Sequence, residues 1–277
     1  MKSRAGRKGN RTVRTSIETI RRILLFCILF FCILFFGMPA RAQSGLEHPQ
    51  LGMMIDRSGV ARPAYGVAAS VTVGGAAAQD VLSIACSRQL CLMKTDSALL
   101  ASDTTIPTVL APPLPMGPAL IALDGASAFV YFMRTKQLVR WHDGQLDPVP
   151  WEIQNESTTV IAIRAGPSGT LDAAPRVDRR VSIVRATLAD GTRIVIGSLP
   201  DDTGPVLLTT SGVVFAELDK VVLRRPDGAE SSFPVTNVRE ILRLGDRYVQ
   251  IRAGDFDYAL RIDSGHEQLF LLPEILQ

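Results

Sequence analysis

The chain has 277 residues, 47% of them hydrophobic and 6% aromatic, with four cysteines and a formal net charge of +3. That charge is unevenly held: residues 1–42 carry nine Lys or Arg and one acid, whereas the rest carries 21 basic and 26 acidic residues. The chain beyond residue 42 is therefore acidic, and the basic pI of 8.8 gives no argument for nucleic acid as a partner.

Residues 1–22 are basic and polar, and residues 23–36 (ILLFCILFFCILFF) are uninterrupted apolar. Ala40-Arg41-Ala42 then has the small-x-small form of a processing site. The pattern predicts a signal peptide over 1–42, cut between Ala42 and Gln43. The apolar core is shorter than the ~20 residues of a spanning helix. If Gly37-Met38 extends it and no cut occurs, residues 23–42 become a hydrophobic membrane-anchoring helix, the one contact with a membrane. Either reading exports the rest to the periplasm or the exterior.

Residues 43–65 show no period and read as an irregular lead-in, and residues 66–73 (GVAASVTV) read as a strand. Val81–Cys86 and Leu90–Lys94 form a hairpin with the tip Cys86-Ser87-Arg88-Gln89-Leu90-Cys91. A two-residue turn at Arg88-Gln89 places Cys86 opposite Cys91 in a non-hydrogen-bonded pair, where Cα atoms lie about 4.5 Å apart. That separation suits a disulfide. Export favours oxidation, so a Cys86–Cys91 bond is expected; a redox pair is the alternative. Residues 101–117 (ASDTTIPTVLAPPLPMG) read as the longest connection after a repeat.

Four strands follow at Pro118–Leu123, Ala128–Met133, Gln137–Trp141 and Gln145–Val149. The next set is Thr159–Arg164, Val181–Leu188 and Thr192–Gly197, around an irregular insertion from Ala165 to Arg180. Then come Val206–Thr209, Val213–Glu217, Val221–Arg224 and Glu230–Val235. The last set is Val238–Leu244, Arg247–Ala253, Tyr258–Ile262 and Glu267–Leu272. Tight turns recur at Asp96-Ser97, Asp143-Gly144, Asp190-Gly191, Asp227-Gly228 and Ser264-Gly265, spaced by 47, 47, 37 and 37 residues. Asp-Gly suits a type I′ hairpin, in which both central residues take φ > 0.

Strand-rich repeats of this length resemble β-propeller blades, which must stack on neighbours to bury both faces of each sheet. The resemblance implies an all-β propeller of about five four-stranded antiparallel blades over residues 66–277. The repeats fall at about 66–103, 118–151, 159–199, 205–235 and 238–273. The N-terminal part supplies a sixth, irregular blade in one variant of this reading. A regular-meander sandwich is the competing architecture. No blade carries the Gly-His…Trp-Asp signature of WD40 repeats or a kelch pattern, so the likeness is to the superclass. Because the chain ends on an outermost strand, the ring is expected to close by packing of its first and last blades, with help from 43–65.

The chemical signals are sparse. With 67–73, 119–123, 159–164, 206–209 and 238–244 as channel-lining strands, the only carboxylates there are Glu240 and, at an end, Asp124. That is short of the pair a glycosidase needs. His48, His142 and His266 have no metal-ligand spacing, and no Gly-x-Ser-x-Gly elbow or phosphate loop occurs. Asp255-x-Asp257 is only a fragment of a calcium loop, and Asp201-Asp202 reads as a solvated loop. Arg176, Arg179, Arg180, Arg185 and Arg193 read as a solvated edge interleaved with Asp172, Asp178 and Asp190. Trp141 and Trp151 read as filling between blades. No catalytic residue, cofactor or metal ligand is expected.

The sequence reading is an exported, non-enzymatic propeller that binds an envelope protein or an extracellular ligand. The alternatives are a propeller hydrolase or lyase acting on extracellular glycan or a small molecule, and a structural envelope component. Its expected partner surface is one face bearing Arg88, Pro112, Pro113, Lys136 and Trp151, with the 165–180 insertion opposite.

Overall fold

Strands built of consecutive apolar residues, such as Ala128–Phe132, are buried on both faces, while outer strands such as Glu230–Pro234 alternate and expose one face. Such a gradient suits sheets packed side by side around an axis. The computed structural model describes residues 49–67, 70–102, 108–111, 114–151 and 157–273, with the side chains of 108–111 left aside. These residues form a six-bladed β-propeller.

Blade 1 has three strands, β1 (Gln50–Ile55), β2 (Ala61–Val67) and β3 (Ser70–Val73). Blade 2 is β4 (Ser83–Cys86), β5 (Cys91–Lys94), β6 (Leu99–Ser102) and β7 (Thr108–Ala111). Blade 3 is β8 (Ala119–Asp124), β9 (Ser127–Phe132), β10 (Gln137–His142) and β11 (Gln145–Val149). Blade 4 is β12 (Thr159–Ala165), β13 (Thr170–Val177), β14 (Arg180–Thr187) and β15 (Arg193–Ser198). Blade 5 is β16 (Val206–Thr209), β17 (Gly212–Ala216), β18 (Lys220–Arg224) and β19 (Glu230–Pro234). Blade 6 is β20 (Val238–Arg243), β21 (Tyr248–Ala253), β22 (Phe256–Arg261) and β23 (Gln268–Leu271). All pairings within blades are antiparallel.

The core is six separate joints rather than one centre. Leu92 and Leu99 meet Val130 and Trp141 between blades 2 and 3, and Phe129 and Tyr131 meet Val160 and Leu171 between blades 3 and 4. Val181 and Leu208 belong to the 4–5 joint, and Val221 and Ile251 to the 5–6 joint. Blade 1 closes the ring on both sides, with Ile55 and Ala61 against Ile84 and Met93, and Leu51 and Met54 against Leu244 and Ala259.

Blade 1 has no counterpart of the innermost strand found in the others. The channel is lined by β4, β8, β12, β16 and β20, with β20 meeting β4 directly. Strand β1 instead runs parallel to β21, the second strand of blade 6. Met53 meets Leu244, Ile55 meets Gln250, Asp56 meets Arg252 and Arg57 meets Gly254. Met53 lies opposite Pro63 in the β1–β2 register, a position that needs no donor from Pro63. Met53 and Ile55 therefore turn their peptide groups toward the vacant inner side. Leu244 O accepts from Met53 N–H at 2.8 Å. The fully buried Gln250 amide pairs with both groups of Ile55, at 3.2 Å to its N–H and 3.0 Å to its carbonyl. A side-chain amide and one carbonyl thus do the work of the missing strand. Gly52 permits the approach: a Cβ there would sit 1.5 Å from Leu244 O.

Several expectations need correction. Within the expected irregular lead-in 43–65, residues 50–55 are β1, whose edge partners lie some 195 residues away, and residues 61–65 belong to β2. Residues 67–73 do not line the channel; β4 does. The insertion 165–180 contains β13, and the long 101–117 connection contains β7. Only Asp143-Gly144 has both φ values positive, at 46° and 80°. At 190 and 227 the Asp carboxylate instead accepts from the N–H two residues on, and only the following Gly is left-handed. The Asp96 turn joins the second and third strands of its blade, whereas the other four join the third and fourth.

Candidate functional site

Two concavities stand out. The first is a groove of about 830 Å³ at the meeting of blades 1, 2 and 6. It lies where blade 1 lacks its inner strand. Pro49–Met53 and Tyr65 line one wall, the Cys86–Cys91 hairpin and Met93 another, and Gly245–Tyr248 a third. Cys86 and Cys91 are register partners 4.0 Å apart at Cα and form the expected disulfide. Ser87 N–H donates to Leu90 O at 2.8 Å, and Ser87 Oγ accepts from the N–H of Gln89 and of Leu90, so the tip is fixed at both ends. Arg88 and Gln89 stand exposed at its apex.

This hairpin joins the first and second strands of blade 2, not the second and third. It therefore projects from the opposite face to Lys136, which sits in the turn between the second and third strands of blade 3. The expected single surface is thus divided. Arg88 borders the groove. Lys136 and Trp151 belong to the other face, and Trp151 packs into the 3–4 joint with the Arg193 guanidinium 5.6 Å above its ring. Pro112, Pro113, Ala42 and Gln43 lie outside the described residues, as does the whole 1–42 segment. Among the described residues no helix is long and apolar enough to cross a membrane.

The second concavity is the central channel, about 490 Å³, with largely aliphatic walls including Ile84, Ile121, Leu123, Ile161, Leu207 and Leu242. Glu240 does line it, but Arg252 holds the carboxylate at 2.7 Å. Asp124 lies exposed at the end of β8, 3.9 Å from Arg140. His142 and His266 sit in blades 3 and 6. Among the described residues no three His, Cys, Asp or Glu side chains gather as a metal site. Burial raises the Asp257 pKa, against the pull of Arg252 and Arg57, and Gln250 donates to its carboxylate at 3.2 Å.

The charged centre that sequence reasoning missed lies at the channel end where β12 and β20 finish. Asp172, expected as a solvated interleaving acid, is fully buried on β13. It accepts from Arg185 Nε at 2.6 Å and from Arg164. Burial alone would raise the Asp172 pKa, but the hydrogen bonds and charge of the two guanidiniums hold it below its ordinary 3.8. Arg164 also caps the Thr209 carbonyl across the 4–5 joint, while its Nε is buried without a partner. Arg243, at the end of β20, is half-buried and has no hydrogen bond or ion pair among the described residues. Burial lowers its pKa, Asp246 works against that, and the like charge of Arg164 adds to the lowering. The remaining arginines of the presumed edge are dispersed: Arg176 holds the carbonyls of Thr203 and Gly204, and Arg179 lies 3.4 Å from Asp202. The one signal in the sequence was an Arg after an aliphatic stretch near the end of an inner strand, in IAIRA and in EILRL.

A ring of stacked antiparallel blades around a channel, with loops gathered on two faces, defines a β-propeller protein. No protein-family model and no curated protein sequence matches the chain. Among solved structures it is similar to a chain of a nidogen–laminin complex, with a TM-score of 0.58 at 10% identity, over 79% of this chain and 92% of that one. It also matches PorZ, a surface component of the type-IX secretion system of Porphyromonas gingivalis, at TM-score 0.48 and 12% identity, over 83% of this chain but 39% of that one. A catalytically inactive virginiamycin B lyase from Staphylococcus aureus with quinupristin matches at TM-score 0.48 and 12% identity, over 83% and 86%. At such identities the likeness concerns the fold.

Proposed function

We propose that the protein is an exported binding propeller of the cell envelope, and that the groove between blades 1, 2 and 6 is where its partner docks. The observation that carries this reading is the groove itself. It combines an 830 Å³ concavity with exposed Arg88 and Gln89 on a disulfide-fixed hairpin and aromatic rings from Tyr65 and Tyr248. Rigid walls lower the entropic cost of binding, and aromatic and Arg side chains are the usual anchors. The basic n-region, apolar run and Ala-x-Ala end of residues 1–42, together with the disulfide, support export. Among the described residues no cluster of converging acid and base groups speaks for the hydrolase or lyase alternative.

The test is site-specific photo-cross-linking in the native host. A photoreactive residue replaces Gln89 at the groove rim in one strain and Thr135 on the opposite face in another. The reading predicts a single discrete adduct from position 89 and none from 135. Adducts from 135 alone, or from neither position, contradict it.

A further inference from the structure

We infer that the end of the central channel holding Arg164 and Arg243 is a binding site for an organic monoanion, a carboxylate with an apolar body lying along the aliphatic wall. This site is separate from the groove, and nothing in the argument depends on what the groove takes. Three guanidiniums, those of Arg164, Arg185 and Arg243, meet there, against the carboxylates of Asp172 and Asp246. One positive charge is left over. Its position is defined by unmet hydrogen-bonding capacity: among the described residues Arg243 makes no hydrogen bond or ion pair, and Arg164 Nε is buried and unpaired.

Both arginines line one cavity of about 490 Å³. Withdrawing a guanidinium from water without a partner is costly. Arg243 bears that cost at the end of a strand whose other channel-lining residues include Ile241 and Leu242. A planar carboxylate matches a guanidinium fork and supplies the single missing charge. The wall that leads away from it, through Leu123, Ile163 and Leu242, is apolar, so it favours an alkyl or aryl body over a bare ion. Residue 243 belongs to blade 6 and residue 164 to blade 4, flanking the short β16 of blade 5. A bound carboxylate would thus tie together three blades.

The experiment is isothermal titration of the purified protein with octanoate, with acetate and octanol as comparison ligands and thermal melting run in parallel. Octanoate is expected to bind with one site per chain and raise the melting temperature, with acetate and octanol each at least about tenfold weaker. Arg243→Gln is expected to weaken octanoate by about tenfold or more. Because that arginine makes no hydrogen bond or ion pair among the described residues, the variant should melt no lower than the parent. Arg239→Gln, at the far end of the same cavity, should bind octanoate as the parent does. No octanoate binding, equal binding of acetate, equal binding of octanol, or full binding by the Arg243→Gln variant would each overturn the inference.

Discussion

Two joints of the ring do the same job by different means. Between blades 4 and 5 the chain continues directly through residues 199–205, so the second blade is delivered to the first with little loop entropy to overcome. That joint is apolar in the middle and clamped at its ends by side chains on backbone: Arg176 holds the carbonyls of Thr203 and Gly204, and Arg164, oriented by Asp172, holds Thr209. Between blades 6 and 1 no short connection exists, and the pairing groups are some 195 residues apart. There the backbone itself is engaged, through Met53 N–H on Leu244 O and the Gln250 amide on Ile55, with Gly52 and Gly245 allowing main chains to touch. The comparison teaches that a joint without covalent help relies on direction-specific bonds, which also fix register. A sliding apolar contact alone would not.

The difference can be broken at its most sensitive point first. Gly52→Ala places a methyl 1.5 Å from Leu244 O, so β1 must leave blade 6. Chemical denaturation should show a loss of about 4 kcal/mol or more, the range of severe steric change. Gln250→Leu keeps the volume but leaves the buried Ile55 N–H without a partner, while the Ile55 carbonyl keeps only the Arg252 guanidinium. The expected loss is about 3 kcal/mol, with urea unfolding as the measurement.

The 4–5 joint responds to a different variable. Asp172 has a folded-state pKa below its ordinary 3.8, so its contribution is complete above that value and is lost as pH falls through the folded pKa. Stability of the parent should therefore fall below about pH 4. Asp172→Asn should cost about 2 kcal/mol at pH 7 and make the acid decline shallower, as followed by melting temperature against pH. The smallest effect is expected at the groove: replacing Cys86 and Cys91 by Ser removes a bond that closes only a five-residue separation within an existing hairpin. The cost should be about 1 kcal/mol in denaturation.

Blades 3, 5 and 6 were legible strand by strand, and blade 4 in all but β13, because the apolar runs are separated by turn residues and the third-to-fourth turns at 143, 190, 227 and 264 repeat. Blade 1 was not. Gln-Leu-Gly-Met-Met-Ile has neither alternation nor β-branched residues until Ile55, and its edge is satisfied by Leu244 and Gln250, which no local pattern announces. Missing it shifted the first repeat by one strand. That put the disulfide hairpin on the wrong face even though the bond itself followed from local register. The Arg164–Asp172–Arg185 cluster and its neighbour Arg243 were hidden for a related reason.

The central claim is that blade 1, docked on blade 6 without a chain connection between them, closes the ring and so creates the groove. The most direct measurement is native-state amide hydrogen exchange at Met53 and Ile55, compared with Val130 in the middle of blade 3. If the ring closes as described, the three amides share the slow exchange of global unfolding. Fast exchange at Met53 and Ile55 beside a protected Val130 would mean that blade 1 opens on its own, and the closing joint would not be what holds the propeller together.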